Sequence, residues 1–579
     1  MIRLSDEQMA IIAAPLESMS VVACAGSGKT RTAVYRLAEI RKRLGNHRGR
    51  VALLSFSNVA VETFRQNFQL LVKDFPEGTG RDRVEIDTLD GFITSNVLRP
   101  HAHRTMVAAQ AAFLVTGGES FLSGFTFRQS TYPVEIVKMQ VGMRKDVVYF
   151  YCANKGQVAE IDTAYASEIV HRLGRSGAYT HNLGRYWCYR VLREQPAVLR
   201  ALARRYPHVL IDEAQDISTL HQAILEQLTN AGTKVSLIGD PHQGIYDFAG
   251  ANGIFLTQYR QRPGIASFGL TRNYRSVPAI LTLANNLSAR TDDAGREAPE
   301  TSHGAFFVSY KKAESEQLVM AFQAAVLAAD LKIESSAVLC RGREQADKLS
   351  GNTPPAGQGV VKGLAQAAIL RDKRKDYLGA FKSVATSIIG LLKDPPQNLA
   401  ARITQPARYP EDKPLRRAIW SFTRNPLTGL PAATLPADAQ WHPQLVVKTR
   451  ALLLLLKQKF ALATADNLGH KLAKKKLSNA PLMLSSDLAT AQKSRIRVET
   501  VHRVKGESLD AVLYLATKEH VCALLAGVDT EVGRIGYVAV TRARNLLWVG
   551  VPANALAELR PDLLARGFQE AGGAVAKPR

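Results

Sequence analysis

The first stretch whose residue types could do chemistry is Ala23-Cys24-Ala25-Gly26-Ser27-Gly28-Lys29-Thr30. It follows a short apolar run, Val21-Val22, that reads as a buried strand, and Arg31 onward has helix-compatible composition. Strand, glycine loop, Lys-Thr and helix is the phosphate-cradling arrangement. Glycines let backbone N–H groups converge on phosphate oxygens, and the helix N-terminus adds partial positive charge. Lys29 would neutralise the β- and γ-phosphates, and Thr30 would offer its hydroxyl to Mg2+. The pattern's first glycine is replaced by Ala23, and an ordinary glycine-rich turn is the plainer reading of the same residues.

A second constellation lies far downstream. Val209-Leu-Ile-Asp212-Glu213-Ala-Gln215-Asp216 is an apolar strand ending in acid. Neighbouring carboxylates on an extended chain point to opposite sides. Asp212 could therefore hold Mg2+ while Glu213 polarises an attacking water. Gln243, in the turn after Val235–Gly239, could sense a γ-phosphate, and Phe248 in the same turn could stack a base. Arg275 is a candidate phosphate-binding residue, and Tyr274 offers a ring to a purine. Gln8, three places after Ser5, either closes a capping box or reads an adenine edge.

Elements must position these groups. Short apolar strands alternate with helical stretches, which predicts a parallel, doubly wound α/β sheet. Val51–Phe56 would deliver Ser57 and Asn58 to a strand's C-terminal end, where such sheets place ligand contacts, and Val84–Asp87 would deliver Thr88. At 579 residues the chain is too long for one core. Between Pro100 and Pro196 the texture is mostly helical, with a possible strand pair near Val147–Cys152. Its Arg and aromatic residues, as in Tyr186-Trp-Cys-Tyr-Arg190, suit either stacking on a single strand or a plain helical core. After a Gly/Pro-rich linker near Gly351 comes basic helical material, including Arg371–Lys375 and Lys471–Lys476. Such runs read as solvated faces or as a nucleic-acid face.

The net charge of +24 makes a polyanion the first partner to consider. Five scattered cysteines without a Cys-x-x-Cys pair argue against a zinc ribbon, an iron–sulfur site or a disulfide framework. The polar N-terminus is no signal peptide, and the longest apolar burst, Ala451–Leu456, is far too short to span a bilayer. A cytoplasmic protein with no membrane association is expected.

Taken together, these residues resemble the superfamily 1 DNA helicases of the UvrD/Rep/PcrA type. Gln8 matches the Q motif. Ala23–Arg31 match motif I, where the family also commonly carries Ala first. Phe56-Ser57-Asn58 resemble motif Ia, Thr88–Phe92 motif Ib, Asp212–Asp216 motif II and Gly239–Gly250 motif III. Asn273–Ser276 match motif IV, Thr500–Glu507 resemble motif V, and Tyr537–Arg544 match motif VI. The motifs run in family order along nearly the whole chain. Two departures stand out. Phe248-Ala249 replace the Trp-Arg of motif III, and Lys505-Gly506-Glu507-Ser508 replace Lys-Gly-Leu-Glu in motif V, which displaces the ribose-touching Glu.

The resemblance implies two RecA-like parallel-sheet lobes, each carrying a mainly helical insertion. Lobe 1A would comprise 1–97 and 197–268 around an insertion 1B at 98–196. Lobe 2A would comprise 269–350 and 495–579 around a basic 2B-like insertion at 351–494, short and atypical for the family. ATP would lie between the lobes. Ala25, Gly26, Ser27, Gly28, Lys29, Thr30, Arg31, Tyr274, Arg275, Gln8 and Glu507 would contact it. Lys29, Glu213, Gln243, Arg275 and Arg542 would be catalytic, and Thr30 and Asp212 would hold Mg2+. Ser57, Asn58, Thr88, Phe248, Thr500 and His502 would face single-stranded DNA or the tail of a partial duplex. The implied activity is ATP-dependent translocation and unwinding, 3′ to 5′, in repair or recombination. Two alternatives stay open: an ATPase that clamps or strips DNA without unwinding it, and a helicase subunit of a nuclease-coupled antiphage system of the Gabija kind. Only Val551–Arg579 follow motif VI, too few for a fused nuclease domain, so any cleavage would need a partner.

Overall fold

The computed structural model describes residues 4–571 apart from 73–80, 118, 129–132, 155–156, 248–249, 252, 298–302, 351–356, 374, 397–398, 405, 407–408, 475–476, 478 and 484–495. The chain divides into two compact units. One comprises Met1–Gly117, Leu122–Ala346 and Ile496–Arg579, and the other Gly118–Phe121 with Asp347–Arg495.

The first unit contains two six-stranded sheets. The strands of one are β1 (Met19–Ala23), β2 (Val51–Ser55), β3 (Val84–Thr88), β4 (His208–Ile211), β5 (Lys234–Gly239) and β6 (Ala266–Leu270). They lie in the order β6-β1-β5-β4-β2-β3, every pair parallel. Strands covered on both faces read as continuous apolar runs, as Val51-Ala-Leu-Leu does. Alternate residues serve different cores. Ala52, Leu54, Val209 and Ile211 enter one, and Val51, Leu53 and Leu210 enter the other with helices α1 (Asp6–Ala13), α2 (Lys29–Leu44) and α3 (Asn58–Leu71). This order aligns the C-terminal ends of β1, β5 and β4, which lead to the glycine loop, Gln243 and Asp212. The edge strand β6 contains Ser267 and Gly269, so the strand pattern of the sequence does not announce it.

The second sheet holds β7 (Gly304–Tyr310), β8 (Ala337–Cys340), β9 (Arg497–Thr500), β10 (Leu509–Leu515), β11 (Ala543–Pro552) and β12 (Gln569–Glu570). Its order is β9-β8-β10-β11-β7-β12, again all parallel. The α/β architecture of two parallel-sheet lobes is therefore as expected.

The segment 98–196 departs from the mainly helical expectation. Helices Arg99–Met106, Thr163–Arg175 and His181–Glu194 surround an antiparallel meander of Met139–Arg144, Val147–Asn154 and Gln157–Ile161. Its first turn uses Lys145 and Asp146, both at positive φ. That backbone normally calls for Asn-Gly or Asp-Gly, so the hairpin lacks its usual sequence signal. Tyr186, Trp187 and Tyr189 are buried, which favours the helical-core reading of this aromatic run.

The second unit is built from helices, among them Gly359–Asp372, Tyr377–Ile389, Lys413–Arg424 and His442–Phe460, around Phe381, Ile419, Trp441 and Leu453. Arg371 opens a charge run but is 2% exposed. Its guanidinium donates to the carbonyls of Thr423, Leu430 and Pro431 and pairs with Asp372. It staples the core rather than presenting a charged face. Among the described residues no helix is long and apolar enough to cross a membrane.

Candidate nucleotide and nucleic-acid site

The glycine loop leaves β1 and enters α2 at Lys29. Gly26 and Gly28 sit at φ +77° and +82°, in the left-handed region that glycine occupies without strain. A Cβ on Gly26 would lie 2.5 Å from the Cβ of Arg275, so this position is closed to a side chain on a second ground. Ser27 Oγ donates to the Cys24 carbonyl at 2.8 Å and tightens the loop. The N-cap Gly28 offers no side-chain hydrogen bond to the first turn of α2 and no acidic residue stands there, an arrangement that suits an anion at the helix N-terminus.

Gln8 does cap α1. Its Oε1 accepts from Ser5 N at 3.1 Å, while its Nε2 donates to the Ser27 carbonyl at 3.1 Å. Both amide atoms are thus engaged by protein, and the residue braces the glycine loop.

Residues that lead into the second sheet close over the loop. Asn273 Nδ2 donates to the Ala25 carbonyl at 2.7 Å, and Tyr274 N to the Gly26 carbonyl at 3.0 Å. Asn273 Oδ1 accepts from the backbone N–H groups of Arg275 and Ser276, both at 2.8 Å. Arg275 Nη1 in turn donates to the Thr541 carbonyl at 2.8 Å, and Ser276 Oγ to the Ala543 carbonyl at 2.7 Å. Asn273, to which the sequence assigned no role, links the glycine loop to the segment around Arg542.

These contacts enclose a cavity of about 290 Å3 lined by Ala25–Thr30, Glu213, Gln243, Tyr274, Arg275 and Arg542. Burial and the neighbouring Arg542 push Arg275 down to about 9. Two guanidinium groups held this close favour an anion between them. Tyr274 is 38% exposed, with the Arg272 guanidinium over its ring at 5.8 Å. Arg544, Gly506 and Ser508 also line the cavity and were not anticipated.

Glu213 follows β4 at φ +56°, a strained conformation for a residue with a side chain. Gln215 Nε2 donates to its carboxylate, and Gln215 Oε1 accepts from Asp240 N at 3.0 Å. Burial pushes Glu213 up, but Lys29, Lys505, Gln215 and Arg542 outweigh it and hold the group below its ordinary range. The neighbouring Asp212 is pushed up, by burial and then by Glu213. Its Oδ1 is buried with no hydrogen-bond partner. The Thr30 hydroxyl has none among the described residues either, and both side chains line one cavity. A hard divalent cation takes such oxygen donors, so the pair fits Mg2+.

That second cavity, of about 590 Å3, adjoins the first through Thr30, Glu213 and Gly506. Ser57 and His502 line it. The Ser57 hydroxyl also accepts from Ala60 N as the N-cap of α3, and His502 faces the Tyr246 ring at 5.8 Å. Asn58, Thr88 and Thr500 are not among the lining residues. Asn58 is exposed in the first turn of α3, Thr88 caps the helix Leu89–Ile93, and Thr500 closes β9. Phe248 lies outside the described residues. Arg31 lines neither cavity. Glu507, expected at the ribose, pairs with Arg497 at 2.5 Å and lines only the second cavity, because the motif V turn brings Gly506 and Ser508 to the first instead.

Two RecA-like lobes that gather a phosphate loop, an acidic strand end and two arginines at one cleft define a two-lobed phosphate-loop protein. Residues 4–263 match the UvrD/REP helicase N-terminal domain, and the chain is of the UvrD/Rep/PcrA type. YjcD of Bacillus subtilis is 26% identical across 63% of this chain and 54% of its own length. The ATP-dependent DNA helicase UvrD2 of Mycobacterium tuberculosis is 25% identical across 49% of this chain and 43% of its own. DNA helicase II of Escherichia coli is 25% identical across 49% and 40%. The chain spans about half or less of the length of these curated relatives.

Proposed function

We propose that the chain is an ATP-dependent DNA helicase and translocase that moves 3′ to 5′ on single-stranded DNA and serves repair or recombination. The observation that carries this reading is the convergence of Lys29, Glu213 and Gln243 with Arg275 and Arg542 on one cavity. Lys29 and the loop N–H groups would bind the β- and γ-phosphates. Glu213, kept ionised, would orient and deprotonate the attacking water. Arg275 and Arg542 would stabilise charge developing on the γ-phosphoryl, so closure of the cleft would depend on that group. Mg2+ held by Thr30 and Asp212 would neutralise phosphate charge. The adjoining cavity is the natural path for the strand. The basic balance of 347–495, 24 Lys and Arg against nine Asp and Glu, also suits a DNA partner.

ATP hydrolysis with and without single-stranded DNA, followed by unwinding of duplexes tailed at either end, tests this reading. DNA-stimulated turnover, lost in Lys29→Ala, and unwinding from the 3′ tail are expected. Stimulated turnover without strand separation would favour the second reading, a DNA-clamping or stripping ATPase. Ala249, which stands where the family pattern has Arg, speaks for that reading.

A further inference from the structure

The second cavity has a wall that the motifs do not account for. Asn182 and Arg185 lie three residues apart on the helix His181–Glu194, hence on one face. Both line the cavity, as does Gln140 from the strand Met139–Arg144. Arg185 is held in a fork. Its Nε donates to Asp90 Oδ1 at 2.9 Å and its Nη2 to Asp90 Oδ2 at 2.7 Å. Asp90 Oδ1 also meets His221 Nε2 at 3.2 Å, and His221 is 2% exposed with its Nδ1 3.1 Å from Ser218 Oγ. The fork fixes the plane of the guanidinium. Nη1 has no hydrogen-bond partner among the described residues.

A simple ion pair between Asp90 and this helix would explain the fork, but not its surroundings. The side-chain amides of Asn182 and Gln140 are likewise without protein partners among the described residues, and all three groups share the wall. Of the cavity's other cations, Lys505 is held by both oxygens of Asp216, whereas Arg503 is largely exposed and gives a single N–H to Glu499 at 3.2 Å, so Arg185 is the cation whose orientation is fixed by a fork. Spare N–H groups around one oriented cation suit an extended chain of phosphate and sugar oxygens. Across the cavity stand Ser57, Phe56 and His502.

We propose that Gln140, Asn182 and Arg185 form a donor wall that grips the sugar–phosphate backbone of a single strand, with Arg185 on a phosphate and Asp90 as its positioning residue. This rests on the DNA reading above and assigns residues outside the family motifs to it.

Fluorescence anisotropy with a labelled oligothymidylate about 20 nucleotides long, over a salt series, tests the wall. Arg185→Ala should weaken binding about tenfold and reduce the slope of log affinity against log salt by about one. Arg185→Lys should restore the slope without the full affinity. Asp90→Asn keeps the Arg185 charge but loosens its aim, so affinity should fall while the slope stays. The Gln140→Ala/Asn182→Ala double variant removes no charge, so it should lose affinity a few-fold at unchanged slope. Thermal melts establish that each variant is folded. If Arg185→Ala does not fold, unchanged affinity in the amide double variant overturns the wall. Wild-type binding with unaltered affinity and slope in Arg185→Ala overturns this inference alone. Failure of the wild type to bind the oligonucleotide overturns the DNA reading and the wall with it.

Discussion

Arg542 reaches across the cleft to Gln243: its Nη2 donates to Gln243 Oε1 at 2.6 Å, while Gln243 Nε2 donates to Asp240 Oδ2 at 2.7 Å. A fully buried guanidinium is thus bound to the residue that follows β5, next to the phosphate pocket. On the proposed reading, such an arginine would sense a γ-phosphate rather than supply general affinity. Arg542→Ala should lower ATP turnover about 100- to 1,000-fold while nucleotide affinity changes only a few-fold. Steady-state hydrolysis and equilibrium binding of a fluorescent ATP analogue separate the two effects. Equal large losses in both would assign Arg542 to ground-state binding instead.

Gly26 and Gly28 differ in what surrounds them, although both have positive φ. A Cβ on Gly26 would meet Arg275 Cβ at 2.5 Å and Asn273 Oδ1 at 3.1 Å, whereas one on Gly28 would meet only the movable Gln8 Nε2, at 2.7 Å. Gly26→Ala should therefore destabilise the fold more than Gly28→Ala, by about 1–3 kcal/mol, and loosen the closure of Asn273 over the loop. Paired denaturation curves measure the difference. Equal stabilities would mean that the left-handed backbone alone sets the cost.

Much of the lining of the cleft was legible in the sequence because it sits in short polar turns next to apolar strands. Lys29, Thr30, Glu213, Gln243, Tyr274, Arg275 and Arg542 all line the predicted pocket. What depends on contact between distant segments was not. Nothing local marks Asn273 as the brace of the Ala25 carbonyl, and nothing places Ser508 rather than Glu507 on the pocket wall. Gln8 satisfied its capping-box pattern, and only the fold shows that the same amide also reaches Ser27. In 98–196 the strand pair expected near Val147–Cys152 is present, but a hairpin turn without glycine left the full three-stranded meander unmarked.

Lys505 Nζ lies 2.6 and 2.7 Å from the two oxygens of Asp216, and both side chains are less than a tenth exposed. Lys505→Ala strands a buried carboxylate and should cost about 3–5 kcal/mol, most of it recovered in the Asp216→Asn/Lys505→Met double variant. Burial pushes the Asp216 carboxyl up to about 6, with Lys505 opposing it only in part. The folded chain then binds this proton more tightly than the unfolded chain. Its contribution to stability is complete below the ordinary value of 3.8 and is lost as pH rises through about 6. Urea denaturation at pH values of about 4 and 7.5 should show the wild type losing about 1–3 kcal/mol relative to the double variant. A relative gain with rising pH would contradict this assignment.

Glu213 combines a strained backbone with the carboxylate that faces both cavities. A left-handed conformation costs a residue with a Cβ about 1–2 kcal/mol, and glycine escapes that cost while losing about 0.5–1 kcal/mol of unfolded-state entropy. Glu213→Gln keeps the strain and Glu213→Gly releases it, while both remove the charge. The glycine variant should therefore be more stable than the glutamine variant by roughly 0.5–1 kcal/mol, as read from denaturant midpoints. Both should lose ATP turnover by about 100-fold or more, as expected for loss of a general base. If the glutamine variant were the more stable, the strain at Glu213 would be no cost to the fold. If the glycine variant kept its turnover, the water-activating group would have to be sought elsewhere. Stability gained together with hydrolysis lost is the result that ties the backbone strain to the placement of the carboxylate.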